Sequence, residues 1–320
     1  MTSGDHALSH PRSGLSRAVI ALLLAAAAAF FAYAVSSRWG DLHGGAIRFR
    51  PVFLALSALC ICVAVAGFGL VWKQILDRLE GGERRPAYPL MRAFFVSWLA
   101  RYIPGTVPFL LLRMEMTQRL GYRRSAVATS LVYENVLQLG TALAVSFVLL
   151  LAAMGQHFGS FALYGVALAP LAGAAVLAHP RLLVPAANRV ARRLGRPEIS
   201  ADSVLPVRAI ARAVALYSVF VVINGLGFYF ALLAVMPAGP EHIVAAIGIY
   251  NLAGVIGVLA VFVPSGLGVR EGIIVGLAGL QFPVEVAAAA ALLARVAALA
   301  ADGLPAAGVL LIDTARRLRG

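Results

Sequence analysis

Six ionisable side chains interrupt long apolar stretches of this sequence and are the residues that could do chemistry there. They are Arg101, Glu134, Arg270, Glu271, Arg295 and Asp302. A charged side chain inside a membrane costs about 2.5–3.5 kcal/mol on insertion scales, so such residues usually pair with one another or mark a functional site. Half of the set is Arg, whose guanidinium fork matches phosphate oxygens, so we expect an anion to bind beside these charges. Purely structural ion pairs are the alternative.

The stretch of residues 262–273 carries two of these charges on an interrupted apolar segment. Pro264 stops a helix because it lacks an N–H donor, and Gly266 and Gly268 allow a sharp turn or a close backbone approach. A broken helix that carries charge is tolerated in a membrane only where it faces protein or a wet cavity. We therefore predict a substrate site on a broken helix that includes Arg270 and Glu271. A turn at the cytoplasmic edge, with an ion pair reaching to water, is the alternative.

A second interrupted stretch covers residues 93–112 and holds Arg101, Tyr102 and the dipeptide Pro104-Gly105. Its flanks are rich in Arg on both sides, which is typical of a segment that enters and leaves the membrane on one side. We predict a re-entrant pair of half-helices that meet at Pro104-Gly105. We expect residues 101–108 and 264–268 to be non-helical breaks that open into one central cavity, where helix N-termini add backbone donors for the same anion.

Composition places these stretches in a membrane protein. Of the 320 residues, 61% are hydrophobic and 13% are charged, and the mean hydropathy is +0.87. The formal net charge of +13 comes mostly from Arg in loops between apolar runs, where it sets orientation and attracts anionic lipid. We therefore expect no nucleic-acid partner. We also expect no metal, because Cys60 and Cys62 have no further ligands nearby, and no other cofactor, because the sequence shows no Gly-rich nucleotide loop.

Hydropathy predicts an all-α, polytopic membrane protein with about eight transmembrane helices plus the re-entrant hairpin. The predicted spans are residues 17–37, 51–72, 125–154, 158–177, 213–235, 242–263, 267–280 and 284–312. The span at 267–280 is short, and a re-entrant path there would place the C-terminus outside the cell. The segments 73–92 and 179–212 are predicted to be cytoplasmic loops.

The predicted organisation is a single membrane domain over residues 17–313, with a cytoplasmic tail at 1–16 and a basic cytoplasmic tail at 314–320. Both termini then lie in the cytoplasm and the protein lies in the cell membrane, because the Arg-rich segments all fall on one side. The two Pro-Gly breaks, each followed by an Ala-rich span with a central charge, indicate a weak two-fold repeat.

Uncharged polar groups also lie within the predicted spans. Asn135 and Gln138 follow Glu134, and inter-helix hydrogen bonding explains them. The roles of Asn224, Tyr250 and Asn251 stay open. A separate pattern is a glycine at every fourth position, at Gly268, Gly272 and Gly276. This spacing is typical of close helix packing.

Several of these motifs together resemble a known family. The matching residues are Arg101-Tyr102-Ile103-Pro104-Gly105, Arg113, Leu120-Gly121, Glu134, Pro264-Ser265-Gly266-Leu267-Gly268-Val269-Arg270-Glu271-Gly272 and Arg295. Over most of residues 17–312 the chain resembles the flippase-like integral membrane family defined by the transmembrane region of lysylphosphatidylglycerol synthases. Thr106 stands where that family often has Lys, and Ser265 stands where Gly is usual.

The resemblance implies handling of a lipid with an anionic head group. Full-length synthases carry a soluble aminoacyl-transferase domain, and this chain ends at Gly320, so we expect that activity to be absent. The primary expectation is a flippase-like transporter for an anionic lipid or a polyprenyl-phosphate-linked sugar, working with enzymes of cell-envelope glycolipid synthesis. The alternative is a membrane-embedded glycosyl- or acyl-transferase, or a non-catalytic partner of one.

No catalytic residue is assigned. The expected substrate-binding residues are Arg101, Tyr102, Arg113, Glu134, Gly266, Gly268, Arg270, Glu271, Arg295 and Asp302. Within this set we expect Arg101, Arg270 and Arg295 to bind the phosphate. We expect Glu134 and Glu271 to hold those guanidinium groups when the site is empty, since buried charges need partners.

Overall fold

The computed structural model describes residues 49–81, 86–102, 107–158, 189, 192, 204–260, 266 and 268–319. These residues form helices and no strands, which confirms the prediction of an all-α protein. The helices with described bounds are α1 Pro51–Leu79, α2 Ala87–Leu99, α3 Val107–Gln118, α4 Arg124–Phe158, α5 Val207–Leu233, α6 Ile243–Leu259, α7 Val269–Ala278 and α8 Val284–Arg319. Single 3-10 turns lie at Ala100–Tyr102 and Pro240–His242.

Five of the described helices are long and apolar enough to cross a membrane, namely α1, α4, α5, α6 with its preceding turn, and α8. They correspond to predicted spans, and the expected total of about eight is loosely consistent with them. The span predicted at 17–37 and nearly all of that at 158–177 lie outside the described residues. Helix α7 has ten residues, about 15 Å at 1.5 Å per residue, which is half of a hydrocarbon core of about 30 Å.

Two predicted loops are shorter than expected because helices extend into them. Helix α1 continues past position 73 to Leu79, and an ion pair of 2.5 Å joins Lys73 Nζ to Asp77 Oδ2 one turn later. Such i,i+4 pairs stabilise a helix surface, which explains the extension. In the second loop, α5 begins at Val207, directly after Pro206. Proline disfavours helix in the residues before it but is compatible with the beginning of a helix.

The C-terminal helix is also longer than predicted. Helix α8 holds Pro305 in its interior and stays helical through Arg319, so the described part of the basic segment 314–320 is a continuation of the helix. Tyr88 on α2 reaches this end of α8, where its hydroxyl donates to Asp313 Oδ1 at 3.0 Å. Arg92 on α2 forms an ion pair with the same carboxylate. These contacts attach α2 to the end of α8.

Helices α2 and α3 form an antiparallel hairpin. The rings of Trp98 and Phe109 lie 6.2 Å apart near the connection, and Arg113 Nε donates to Ser97 Oγ at 2.8 Å one turn farther along α3. The dipeptide Pro104-Gly105 lies outside the described residues. The prediction of a non-helical break over 101–108 is wrong at its ends. The start is a 3-10 turn at Ala100–Tyr102, and positions 107 and 108 open α3, where Pro is tolerated in the first helical turn.

The second predicted break separates α6 from α7. Helix α6 ends at Leu259 and α7 begins at Val269, while residues 261–265, including Pro264, lie outside the described part. Gly266 and Gly268 have φ of +64° and +83°, a left-handed conformation that favours glycine. Helix α7 then packs against both α6 and α8. The sequence therefore located a true helix interruption.

Candidate functional site

A central cavity of about 380 Å³ is lined by residues from all eight labelled helices. Arg101, from the 3-10 turn of the first hairpin, and Gly266, from the second interruption, both line it. This confirms, for the described residues of each break, the prediction that the two breaks open into one cavity. The other charged residues in its lining are Glu134, Arg270 and Asp302. The lining also includes the amide side chains of Asn135, Gln138, Asn224 and Asn251.

Asp302 anchors one side of the cavity. Its carboxylate accepts hydrogen bonds from Trp98 Nε1 at 2.9 Å and from the Tyr102 hydroxyl at 2.6 Å, and the residue is only 2% exposed. Arg101 Nη2 lies 3.8 Å from the same carboxylate, and the Arg101 guanidinium lies 4.6 Å from the centroid of the Trp98 ring. The carboxylate of α8 thus fixes the end of the first hairpin and places a guanidinium beside the cavity.

Arg270 lies on α7, which packs against α6 to form a second hairpin, and its guanidinium is held by an aromatic ring. Its guanidinium carbon is 4.2 Å from the centroid of the Tyr250 ring, and that ring stacks on Phe228 at 5.5 Å. A cation over an aromatic face is stabilised electrostatically, by more when it is desolvated. Within the part of the chain that the structure describes, no carboxylate forms an ion pair with Arg270.

Glu271 has two partners, and neither is Arg270. One carboxylate oxygen accepts the backbone N–H of Gly268 at 2.7 Å, which caps the first turn of α7. The other oxygen lies 3.6 Å from Arg295 Nη1. The expectation that Glu271 holds one of the three guanidinium groups is confirmed for Arg295. That guanidinium also lies 5.8 Å from the centroid of the Tyr102 ring, so the two hairpins meet through it.

Glu134 does not hold any of the three predicted guanidinium groups, and that expectation is wrong. Both of its oxygens lie 2.7 Å from Nη1 of Arg113, whose side chain is fully buried. The Arg113 guanidinium lies 4.2 Å from the centroid of the Phe94 ring and 4.5 Å from that of Phe109. Arg113 is absent from the cavity lining, so it lies behind the wall that Glu134 helps to form.

The remaining predicted residues also have defined places. Tyr102 donates to Asp302, and Gly268 closes the cap of α7, while the substrate-binding role of each member of the set stays a prediction. Trp98 was not predicted, although it is the second hydrogen-bond donor to Asp302. Its signal is its position three residues before Arg101, which places both on one face of a helical turn.

Pairing the charges of this region leaves a cation. Among the described residues, the ion pairs of the predicted set are Arg101 with Asp302, Arg113 with Glu134, and Arg295 with Glu271. Arg270 is the additional cation, and it faces the cavity with Arg101. The electrostatics of the cavity therefore favour an anionic ligand over a cationic one.

Comparison with known proteins identifies the family. The chain matches the family described as the lysylphosphatidylglycerol synthase TM region over residues 18–306, a range that includes every residue named above as lining the cavity. No curated protein gives a significant match. The family points to a membrane protein of lipid or cell-envelope metabolism. Because the match covers most of the sequence, this chain belongs to the family of the lysylphosphatidylglycerol synthase transmembrane region.

Proposed function

We propose that this protein translocates a lipid with a phosphate head group between the leaflets of the cell membrane, and that the head group passes through the central cavity. The observation that supports this most directly is Arg270, a cavity-facing guanidinium that lies against the Tyr250 ring and has no carboxylate partner among the described residues. The family match supports a role in lipid metabolism in general.

The phosphate would lie between Arg101 and Arg270, and not at Arg295, the third expected phosphate ligand, because Arg295 is absent from the cavity lining and pairs with Glu271. Arg101 keeps only a long ion pair of 3.8 Å with Asp302, whose oxygens already accept from Trp98 and Tyr102. The Arg101 guanidinium can therefore turn toward a second anion without leaving the Asp302 carboxylate unsatisfied. A phosphate then receives two guanidinium forks, which form charge-assisted hydrogen bonds of the strong class. The lipid tail stays in the bilayer while the head group occupies the cavity.

The two helix hairpins fit this path. In each of the pairs α2–α3 and α6–α7, the interruption between the two helices contributes to the cavity lining. Irregular backbone in a membrane is tolerated where it lines such a cavity. We propose that α2–α3 is re-entrant and that the paired breaks resemble those of transporters with substrate sites near the midplane. The class of substrate is an anionic lipid, including polyprenyl-phosphate-linked sugars, with enzymes of cell-envelope glycolipid synthesis as partners.

The decisive test is head-group translocation in reconstituted vesicles with variants of Arg270. Arg270→Lys keeps the charge but loses the fork, and we expect the rate to fall about tenfold, since a charge-assisted hydrogen bond contributes about 1.5–3 kcal/mol and 1.4 kcal/mol is tenfold. Arg270→Ala should reduce the rate further. The control is Arg119→Lys, because Arg119 is 72% exposed and lies in a surface pair. Wild-type rates for folded Arg270→Ala would refute the phosphate site.

The Arg distribution supports one orientation of the chain in the membrane. We propose that both termini are cytoplasmic, which places the Arg-rich segments on one side of the membrane. Single cysteines introduced at position 2 and at Gly320, in a background lacking Cys60 and Cys62, should react with an impermeant thiol reagent only after the cells are opened. Labelling of position 320 in intact cells would show that the C-terminus is outside and that α7 does not complete a crossing.

A further inference from the structure

The central cavity has a second polar region, formed by amide side chains, that the phosphate site does not use. Gln138 on α4 and Asn224 on α5 both line the cavity. Gln138 makes no hydrogen bond to any described residue, so both its amide donors and its carbonyl oxygen are available. Asn224 uses its amide group to donate to Asn251 Oδ1 at 2.9 Å, which leaves its carbonyl oxygen for a ligand.

This region is rigidly supported. The Asn251 amide donates to the backbone carbonyl oxygens of Val221 at 3.0 Å and Ile247 at 2.9 Å, and the residue is 4% exposed. Asn251 therefore joins α5 to α6 and holds Asn224 in a fixed orientation. Supporting hydrogen bonds of this kind are what keep a binding side chain in place before a ligand arrives.

The amide region is adjacent to the phosphate site. Tyr250, which precedes Asn251 on α6, supports the Arg270 guanidinium with its ring. The Tyr250 hydroxyl is buried and has no hydrogen-bond partner among the described residues, and the residue as a whole is 1% exposed. A buried hydroxyl without a partner costs about as much as a lost hydrogen bond, so this group is an independent sign that a polar ligand belongs here.

Both carboxylates in the described lining already have hydrogen-bond donors. Both oxygens of Glu134 are engaged by Arg113, and the oxygens of Asp302 accept from Trp98 and Tyr102. An ammonium group in the cavity would therefore face the guanidinium groups of Arg101 and Arg270 without a carboxylate partner that lacks donors. Like charges repel each other, and by more in a low-dielectric site than in water.

We propose that the amide region, formed by Gln138, Asn224 and the Tyr250 hydroxyl, binds an uncharged, hydroxyl-bearing head group attached to the lipid phosphate. The cavity then selects against a cationic aminoacyl head group. This inference rests on the proposed phosphate site and adds the chemistry of the group next to the phosphate. Amide and phenol groups supply both donors and acceptors, which is what a set of hydroxyl groups requires.

The test is a binding competition between phosphatidylglycerol, phosphatidic acid and lysyl-phosphatidylglycerol with identical acyl chains, measured by native mass spectrometry on the full chain. The wild type should prefer phosphatidylglycerol to the lysyl lipid by about tenfold or more, since the loss of hydrogen bonds and a repulsive charge act together. Gln138→Met should weaken phosphatidylglycerol about threefold or more and leave phosphatidic acid, which has no hydroxyl-bearing head group, unchanged. Gln74→Met, on α1 and away from the cavity, is the matched control.

Gln138→Glu adds the missing carboxylate and should shift the preference toward the lysyl lipid. An unshifted ratio for Gln138→Glu, equal wild-type binding of the lysyl lipid and phosphatidylglycerol, or an equal loss of phosphatidic acid in Gln138→Met would each overturn the head-group inference alone. The phosphate site itself is tested in the same experiment by Arg270→Ala, which should weaken all three lipids. If that variant binds all three as the wild type does, or if the wild type binds none, the proposed function fails and this inference fails with it.

Discussion

Replacing Arg113 with Met while Glu134 is retained should lower the free energy of unfolding by about 3–5 kcal/mol, the range for breaking one partner of a buried ion pair. The loss is large because Glu134 is 1% exposed and both its oxygens depend on Arg113 Nη1 at 2.7 Å. Without the guanidinium, the Glu134 carboxylate would remain buried without a counter-charge. The change is measured by thermal or denaturant unfolding in detergent, with the fraction of protein that stays folded as the readout.

A double replacement separates the cost of an orphaned charge from the value of the pair. Arg113→Met combined with Glu134→Leu puts apolar groups of similar length in place of both charges, and such replacements are often neutral or stabilising. We therefore expect the double variant to recover most of the lost stability. The control is Arg119→Met, which removes a partner of Glu115 in a pair whose side chains are 72% and 59% exposed. Exposed pairs contribute about 0–1 kcal/mol.

Two results would contradict this view of the pair. If Arg113→Met were as mild as Arg119→Met, the Arg113 side chain would not be enclosed as the structure shows. If the double variant were as unstable as Arg113→Met alone, the pair would contribute through a specific contact, such as the hydrogen bond from Nε to Ser97 Oγ, and not through charge compensation. In either case the role of Arg113 as a support behind the cavity wall would need revision.

The sequence identified the costly charges but not most of their partners. Arg101 and Asp302 were recognised because charges stand out in apolar runs, yet they are 201 positions apart and meet only through the packing of the first hairpin on α8. Glu134 was expected to face the cavity guanidinium groups, and it pairs instead with Arg113 of the neighbouring hairpin helix. Periodicity shows which face of a helix carries a charge, but the helix that packs against that face depends on tertiary structure.

The ends of the helices show the same difference between local signals in the sequence and effects of the tertiary structure. The apolar run of α1 ends near Trp72, but the helix continues to Leu79, because Lys73 and Asp77 satisfy each other within one turn and both are mostly buried. Hydropathy measures only the membrane-embedded part of a helix and cannot follow it beyond the apolar run. By contrast, the start of α7 was located to within two residues, since Gly acts locally on the backbone and leaves a signal in the sequence itself, whereas α6 ends at Leu259, four residues before the predicted limit at 263.

The second large effect is expected at Gly266, where the second interruption touches α6. The residue has a φ of +64°, and a Cβ there would lie 2.7 Å from the Cα of Gly257 and 2.8 Å from its carbonyl oxygen. Both obstacles are backbone atoms, so no side-chain rotation relieves the overlap. Gly266→Ala must therefore separate this segment from α6, at a cost of about 2–5 kcal/mol from the left-handed conformation and the overlap together.

The separation should also weaken lipid binding, because Gly266 lines the cavity four residues before Arg270. Arg270 itself lies close to α6, since a Cβ added at Gly257 would lie 3.4 Å from the Arg270 Cβ. A shift of this segment moves the Arg270 guanidinium relative to the Tyr250 ring, on which its position depends. The measurement is unfolding in detergent together with native mass spectrometry of bound phosphatidylglycerol. Both signals should fall in the same variant.

Substitutions at two neighbouring glycines separate the cost of the positive φ from the cost of the backbone overlap. At Gly268 the φ is +83° but no atom lies within 4 Å of an added Cβ, so Gly268→Ala should show only the conformational cost of about 1–2 kcal/mol. At Gly272, inside α7, the space is also open and φ is not positive, so Gly272→Ala should be neutral or stabilise by roughly 0.4–1 kcal/mol. The expected order of stability is therefore Gly272→Ala, then Gly268→Ala, then Gly266→Ala. A Gly266→Ala protein as stable as Gly268→Ala would show that α6 and the second interruption do not approach each other through their backbones.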